Sequence, residues 1–128
     1  VDAEFALDFA AFGVQIPDAF VPKFSAVRIV PHMHQLGRRI GASLSLPDGA
    51  EVPLIQIDDW DFHWQGFYDY VSPMAIPYRS KIKASCIFDN TTDHEVRWGE
   101  STEDEMCLVY VGFTAEGGIA PILFGNPR

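Results

Sequence analysis

Apolar and polar residues alternate in short runs along most of the chain, and Pro, Gly, Asp and Asn break the runs. A period of two marks half-buried strands; an amphipathic helix needs a sustained period of 3.6 with caps, and no stretch carries one. The alternation predicts strands over Ser25 to Val30, Arg39 to Leu46, Val52 to Ile57, Asp61 to Tyr70, Lys81 to Phe88 and Met106 to Thr114. Between the second and third, Pro47-Asp48-Gly49 supplies one preset φ and one residue that accepts positive φ, which makes the pair a hairpin. Asp89 to Asp93 is a polar loop, and Gly99 to Glu105 is an acidic one that ends at Met106. The first twenty or so residues, with Phe5, Leu7, Phe9 and Phe12, add an edge strand, whereas Ala115 to Arg128 is richer in Gly and Pro. Strands recurring between turn signals predict an all-β protein of two packed antiparallel sheets, a β-sandwich or jelly roll.

The 128 residues fit one domain spanning 1–128, long enough to bury a core of its own. No run approaches the roughly eighteen apolar residues of a membrane helix, so a membrane is not an expected partner. A net charge of −9 repels phosphate backbones and anionic lipid, which removes nucleic acid as well. The chain opens at Val1 without a basic and then apolar leader, and so reads as a processed product or as a piece of something longer. Its two cysteines, Cys86 and Cys107, permit one disulfide closing a loop of about twenty residues, worth roughly 3 kcal/mol in the chain-entropy view. Two buried, reduced thiols are the other reading that the count leaves open.

Candidate chemistry centres on His32-Met33-His34. Residues two apart on an extended strand project from one face, so His32 and His34 can grip one ion while Met33 points the other way, into the core. Met106 adds a thioether, which is soft and selects Cu(I); a hard-ion site would recruit carboxylates, and a structural zinc site thiolates. Glu105 beside it tunes that site or belongs to a solvated loop. In Trp60 to Gln65 the alternation puts Phe62 and Trp64 on one face and His63 and Gln65 on the other, making His63 a cross-strand or surface histidine, or a group near the metal. His94, beside Asp93 and Glu95, is expected in solvent, and Met74 in the core. Trp60, Trp64, Phe67, Tyr68 and Tyr70 read as core aromatics, with a ligand pocket as the sharper alternative.

Pro31-His32-Met33-His34-Gln35-Leu36-Gly37 and Glu105-Met106-Cys107 together resemble the two copper-binding signatures of the C-terminal domain of the copper type II, ascorbate-dependent monooxygenases. Peptidylglycine alpha-hydroxylating monooxygenase and dopamine beta-hydroxylase belong to that family. The resemblance runs from about Phe24 to Phe113, with Cys86 and Cys107 at the positions of a family disulfide, and so implies a periplasmic or extracellular protein. It implies one copper ion on His32, His34 and Met106 with an open coordination position, dioxygen and a small organic substrate as partners, and ascorbate or another one-electron reductant. The implied reaction is hydroxylation of a substrate C–H bond.

In the family a second copper sits in a separate N-terminal domain on three histidines. Here only His63 and His94 remain, so the chain reads as half of a monooxygenase, part of or partner to a larger redox protein. The family's substrate pocket maps onto Val30, Leu108 and Tyr110, with His63 as a further candidate. In the peptide-amidating branch an arginine occupies the position of Val30 and an asparagine that of Leu108, while Tyr110 matches a pocket tyrosine. The two apolar replacements remove a carboxylate anchor and imply a less polar substrate. A non-catalytic mononuclear copper module for storage or transfer, or a structural interaction module, is the alternative function.

Overall fold

The computed structural model describes the backbone of residues 2–6, then Pro17 and residues 21–117. Seven strands follow one another: β1 (Asp2–Ala6), β2 (Lys23–His32), β3 (Gly37–Ser45), β4 (Glu51–Ile57), β5 (Tyr68–Ile76), β6 (Lys81–Phe88) and β7 (Leu108–Glu116). They form two antiparallel sheets, one of four strands in the order β1-β6-β3-β4 and one of three in the order β5-β2-β7. Among the described residues there is no α-helix, as the absence of a 3.6 period predicts. The edge strand expected near the N-terminus is β1; the rest of that segment, and the Gly- and Pro-rich tail from 118 onward, lie outside the described residues.

One buried cluster draws on both sheets: Phe24, Ala26 and Ile29 of β2 and Ile76 of β5 meet Ala42 and Leu44 of β3 and Leu54 of β4. Burying each sheet's apolar face against the other is what makes period-two sequences fold at all. The Pro47-Asp48-Gly49 turn joins β3 to β4 as expected, with Gly49 at φ +88° and its N–H donated to the Leu46 carbonyl at 2.9 Å.

One strand assignment changes. Asp61 to Tyr70 is not one strand: Phe62–Trp64 forms a 3₁₀ turn, and the strand begins only at Tyr68 and runs on to Ile76. Asp61 caps that turn, its Oδ1 accepting the N–H of His63 at 2.8 Å, so the face assignment of Phe62, His63, Trp64 and Gln65 by alternation does not hold. Pro73 within β5 breaks no ladder in the middle of a sheet, because β5 is an edge strand. Trp64 and Phe67, read as core, are exposed, whereas Trp60 is buried.

The consequential irregularity is in β2. Pairing with β7 matches Ala26 to Phe113 and Arg28 to Gly112, so Val27 is an extra residue, a β-bulge. Phe24 and Ala26 face the core before it; after it the inward set is Ile29, Pro31 and Met33, and Arg28, Val30 and His32 face outward. Because side chains alternate with a period of two, leaving one residue out of the ladder moves the inward set from even to odd positions. With Val27 bulged out of the ladder, His32 faces outward.

Candidate metal centre

A second buried cluster, Met33, Ile40, Trp60 and Cys86, lies beneath the His32–His34 segment. Met33 is fully buried there, as alternation predicts, and its anchorage fixes the two histidines on either side of it. β2 ends at His32, and the chain turns through His34 toward β3, with the Gly37 N–H donated to the His34 carbonyl. The turn packs against Met33 and Trp60 so closely that a Cβ on Gly37 would sit 2.7 Å from Met33 Cε and 2.9 Å from Trp60 Cδ1. Trp60 adds a hydrogen bond, its indole Nε1–H donating to the His34 carbonyl at 3.2 Å.

The two imidazole rings lie with centroids 5.1 Å apart and nearly perpendicular. His34 is buried, its ring edge-on to Phe62 at 6.0 Å, and His32 is half-buried. Each ring is held through Nδ1. His34 Nδ1 lies 2.8 Å from the Asp104 carbonyl oxygen, which can only accept, so that nitrogen carries the proton. His32 Nδ1 lies 2.7 Å from Gln65 Oε1; the Gln65 amide donates from its Nε2 to the Phe62 carbonyl at 2.9 Å, which leaves its oxygen facing the ring as an acceptor. Both histidines are therefore set in the Nδ1–H tautomer, and both Nε2 lone pairs are left for a ligand.

Glu105 joins this segment to the Met106 loop. Its carboxylate is buried, and one oxygen accepts the backbone N–H of His34 at 3.1 Å and that of Met106 at 3.3 Å, while the other accepts the N–H of Leu36. The Cys86–Cys107 disulfide ties the residue after Met106 to β6, so the bond permitted by the cysteine count is formed. Met106 is half-buried and lines, with Leu36, Phe88, Val96, Trp98 and Cys107, part of a cavity of about 230 Å³.

The donor chemistry favours a soft ion. Among the described residues no three His, Cys, Asp or Glu side chains converge as a metal cluster, and both cysteines are consumed in the disulfide. Met106 lies on the loop whose Asp104 and Glu105 hold His34, and its side chain lines a different cavity from the one His32 lines.

Val30, His32 and Tyr110 line one concavity of about 240 Å³ with Pro31, Gln65, Gly66 and Phe67. Leu108 stands opposite His32 in the β2–β7 ladder, beside this concavity. His63 is exposed on the 3₁₀ turn, its ring against Phe62, and is not part of the concavity. His94 is exposed in the loop after β6, paired with Asp93. Gln65 and Asp104 hold the two imidazoles in a way that alternation and composition could not assign, because their partners lie across the fold, whereas Phe67, one of the aromatics offered as pocket residues, lines the concavity.

Comparison with known families matches residues 13–118 to the copper type II ascorbate-dependent monooxygenase C-terminal domain, and the chain belongs to that family. No curated protein matches the chain.

Proposed function

We propose that this chain is the dioxygen-activating, substrate-hydroxylating domain of a copper monooxygenase, holding one copper ion on His32, His34 and Met106. The observation that carries the reading is the paired tautomer: two nearby imidazoles, each with Nδ1–H engaged by an oxygen that can only accept and each with Nε2 free. Copper bound there supplies reductive activation of dioxygen: one oxygen atom enters a substrate C–H bond, the other leaves as water, and two electrons from ascorbate or another one-electron reductant, with two protons, complete the balance. The chain's own residues do the rest. Gln65 and Asp104 fix the ring orientations, Glu105 and the disulfide hold the Met106 loop against His34, and Val30, Leu108 and Tyr110 form the wall a substrate meets.

The sharing of one core between the two sheets supports a β-sandwich, and the β3–β6 and β2–β7 crossovers suit a jelly-roll winding of it. The disulfide supports a periplasmic or extracellular setting, since such bonds persist in oxidising compartments. Among the described residues no helix is long and apolar enough to cross a membrane. A non-catalytic copper-carrying role is the second reading. A partner domain carrying the second copper is part of the first reading.

Competition for Cu(I) against a chromogenic chelator tests the proposal. The wild type takes one equivalent, and His32→Ala, His34→Ala and Met106→Leu each weaken it at least tenfold; a protein indifferent to all three changes is neither enzyme nor carrier through this site.

A further inference from the structure

Resting on that proposed function, we infer that the concavity beside His32 takes a flat, uncharged ring, and that Phe67 is the residue that selects it. Phe67 is 73% exposed and Tyr110 59% exposed, yet they are not loose surface aromatics: with Val30 between them they line the concavity of about 240 Å³ that also contains His32. The ladder accounts for the grouping, because Val30 pairs with Tyr110 and His32 with Leu108, and directly opposed residues share a face. The volume accommodates one substituted ring.

Phe67 is held by a chain of contacts. The Arg28 guanidinium lies over its ring at 5.5 Å, and Arg28 is itself gripped by Asp69 through two bonds, Nε to Oδ1 at 2.5 Å and a terminal nitrogen to Oδ2 at 2.9 Å. The Val27 bulge places Arg28 on the outward face with Val30 and His32, and Arg28 pairs with Asp69 across the ladder. Arg28 therefore resembles an anion anchor by position but serves as a strut: its fork is spent on Asp69 and its flat face on Phe67. Asp69 neutralises Arg28 and takes two of its N–H donors, which weakens its pull on an anionic substrate, whereas a neutral ring meets Phe67, Val30 and Tyr110 without needing that charge. Phe67 and Tyr110 favour a planar guest because ring faces stack and saturated rings do not.

The test uses isotope-labelled protein, metal-free and Cu(I)-loaded, titrated with 4-methylphenol, 4-methylbenzoate and 4-methylcyclohexanol, with binding followed at backbone amides by NMR. The expected result is that 4-methylphenol binds best of the three and shifts Val30, Gly66, Phe67 and Tyr110. Phe67→Ala should weaken it at least tenfold, Arg28→Met severalfold, and Val71→Ala, a fully exposed position outside the concavity, not at all. Tighter binding of 4-methylbenzoate, abolished by Arg28→Met, overturns the inference, as does equal binding of the saturated ring or equal effects of Phe67→Ala and Val71→Ala. If copper fails to bind while 4-methylphenol still does, the copper reading falls and this subsite stands; if copper binds and no probe shifts these amides, the subsite alone falls.

Discussion

His34 donates its backbone N–H to the buried carboxylate of Glu105 at 3.1 Å, across seventy-one positions of sequence. That one acceptor also takes the N–H groups of Leu36 and Met106, so the turn carrying one histidine and the loop carrying the thioether are fastened at a single point. Glu105→Ala leaves those backbone donors without their partner, at about 1–3 kcal/mol for each that water cannot reach. We predict a loss of roughly 3 kcal/mol in urea unfolding and a 10- to 100-fold loss of Cu(I) affinity, the usual range for a group that orients metal ligands. Glu105→Gln, which keeps one acceptor oxygen, should recover part of both. An unchanged Cu(I) affinity in Glu105→Ala would show that the fastening does not serve the metal.

The Val27 bulge makes a sharper prediction. Deleting Val27 removes the unpaired residue, so Phe24, Ala26, Ile29, Pro31 and Met33 would alternate without a break and His32 would keep its outward face, whereas one Ala inserted between Ile29 and Val30 would turn His32 toward the core. Stoichiometric Cu(I) binding should persist in the Val27 deletion and vanish in the insertion. Loss of binding in a folded deletion variant, or its retention in a folded insertion variant, would mean that strand parity does not set the direction of His32.

Gly37→Ala should cost about 1–3 kcal/mol, the range for overpacking, because its methyl would press on Met33 and Trp60 rather than on solvent. The same substitution at Gly49 has open space around it but is strained by its positive φ, so its cost should appear without any change in Cu(I) affinity. Urea unfolding beside Cu(I) competition separates the two positions.

Reducing the Cys86–Cys107 bond should lower stability by roughly 3 kcal/mol for a loop of this length. Because Cys107 follows Met106, the Cu(I) affinity of the reduced protein should fall as well, where a bond remote from the site would change stability alone. The comparison needs only unfolding and competition curves with and without a thiol-free reductant.

Acid stability should depend on Glu51. Its bonds from Lys83 and from Ser43 and Ser45 lower its carboxyl from 4.5 to about 2. A carboxyl depressed by folding contributes stability that is complete above its unfolded value, so the contribution is present above about pH 4.5 and is lost as pH falls toward 2. Asp69, lowered by its bond to Arg28, acts in the same direction. Urea midpoints measured between pH 6 and pH 2 should fall less steeply in Glu51→Gln than in wild type. Salt should shrink the difference, since both partners are exposed; an identical slope in the two proteins would remove Glu51 from the account.

The sequence carried the parts of this fold that are local. Alternation and the Pro47-Asp48-Gly49 turn are written in neighbouring residues, so β2, β3, β4, β6 and β7 were readable to within a few positions. Asp61 to Tyr70 misled because Asp-Phe-His-Trp alternates like a strand, while the decisive fact is a cap: the Asp61 carboxylate closing a 3₁₀ turn. Pro73 concealed the second half of β5, since only the sheet order reveals that this strand is an edge. At the site, His32 and His34 stood out by type and spacing, and Met106 by its sulfur. The Val27 bulge was invisible because it exists only in register with β7. Gln65 and Asp104, which set the tautomers, act across 33 and 70 positions, a distance no local pattern spans.

The measurement that tests the central claim most directly is a copper K-edge absorption spectrum of the protein loaded with one equivalent of Cu(I), recorded beside Met106→Leu. The account predicts two imidazole nitrogens and one sulfur around the metal, with the sulfur lost in the variant and both nitrogens kept. A spectrum without sulfur in the wild type, or one unaltered by the substitution, would contradict the assignment of Met106 and with it the proposed centre.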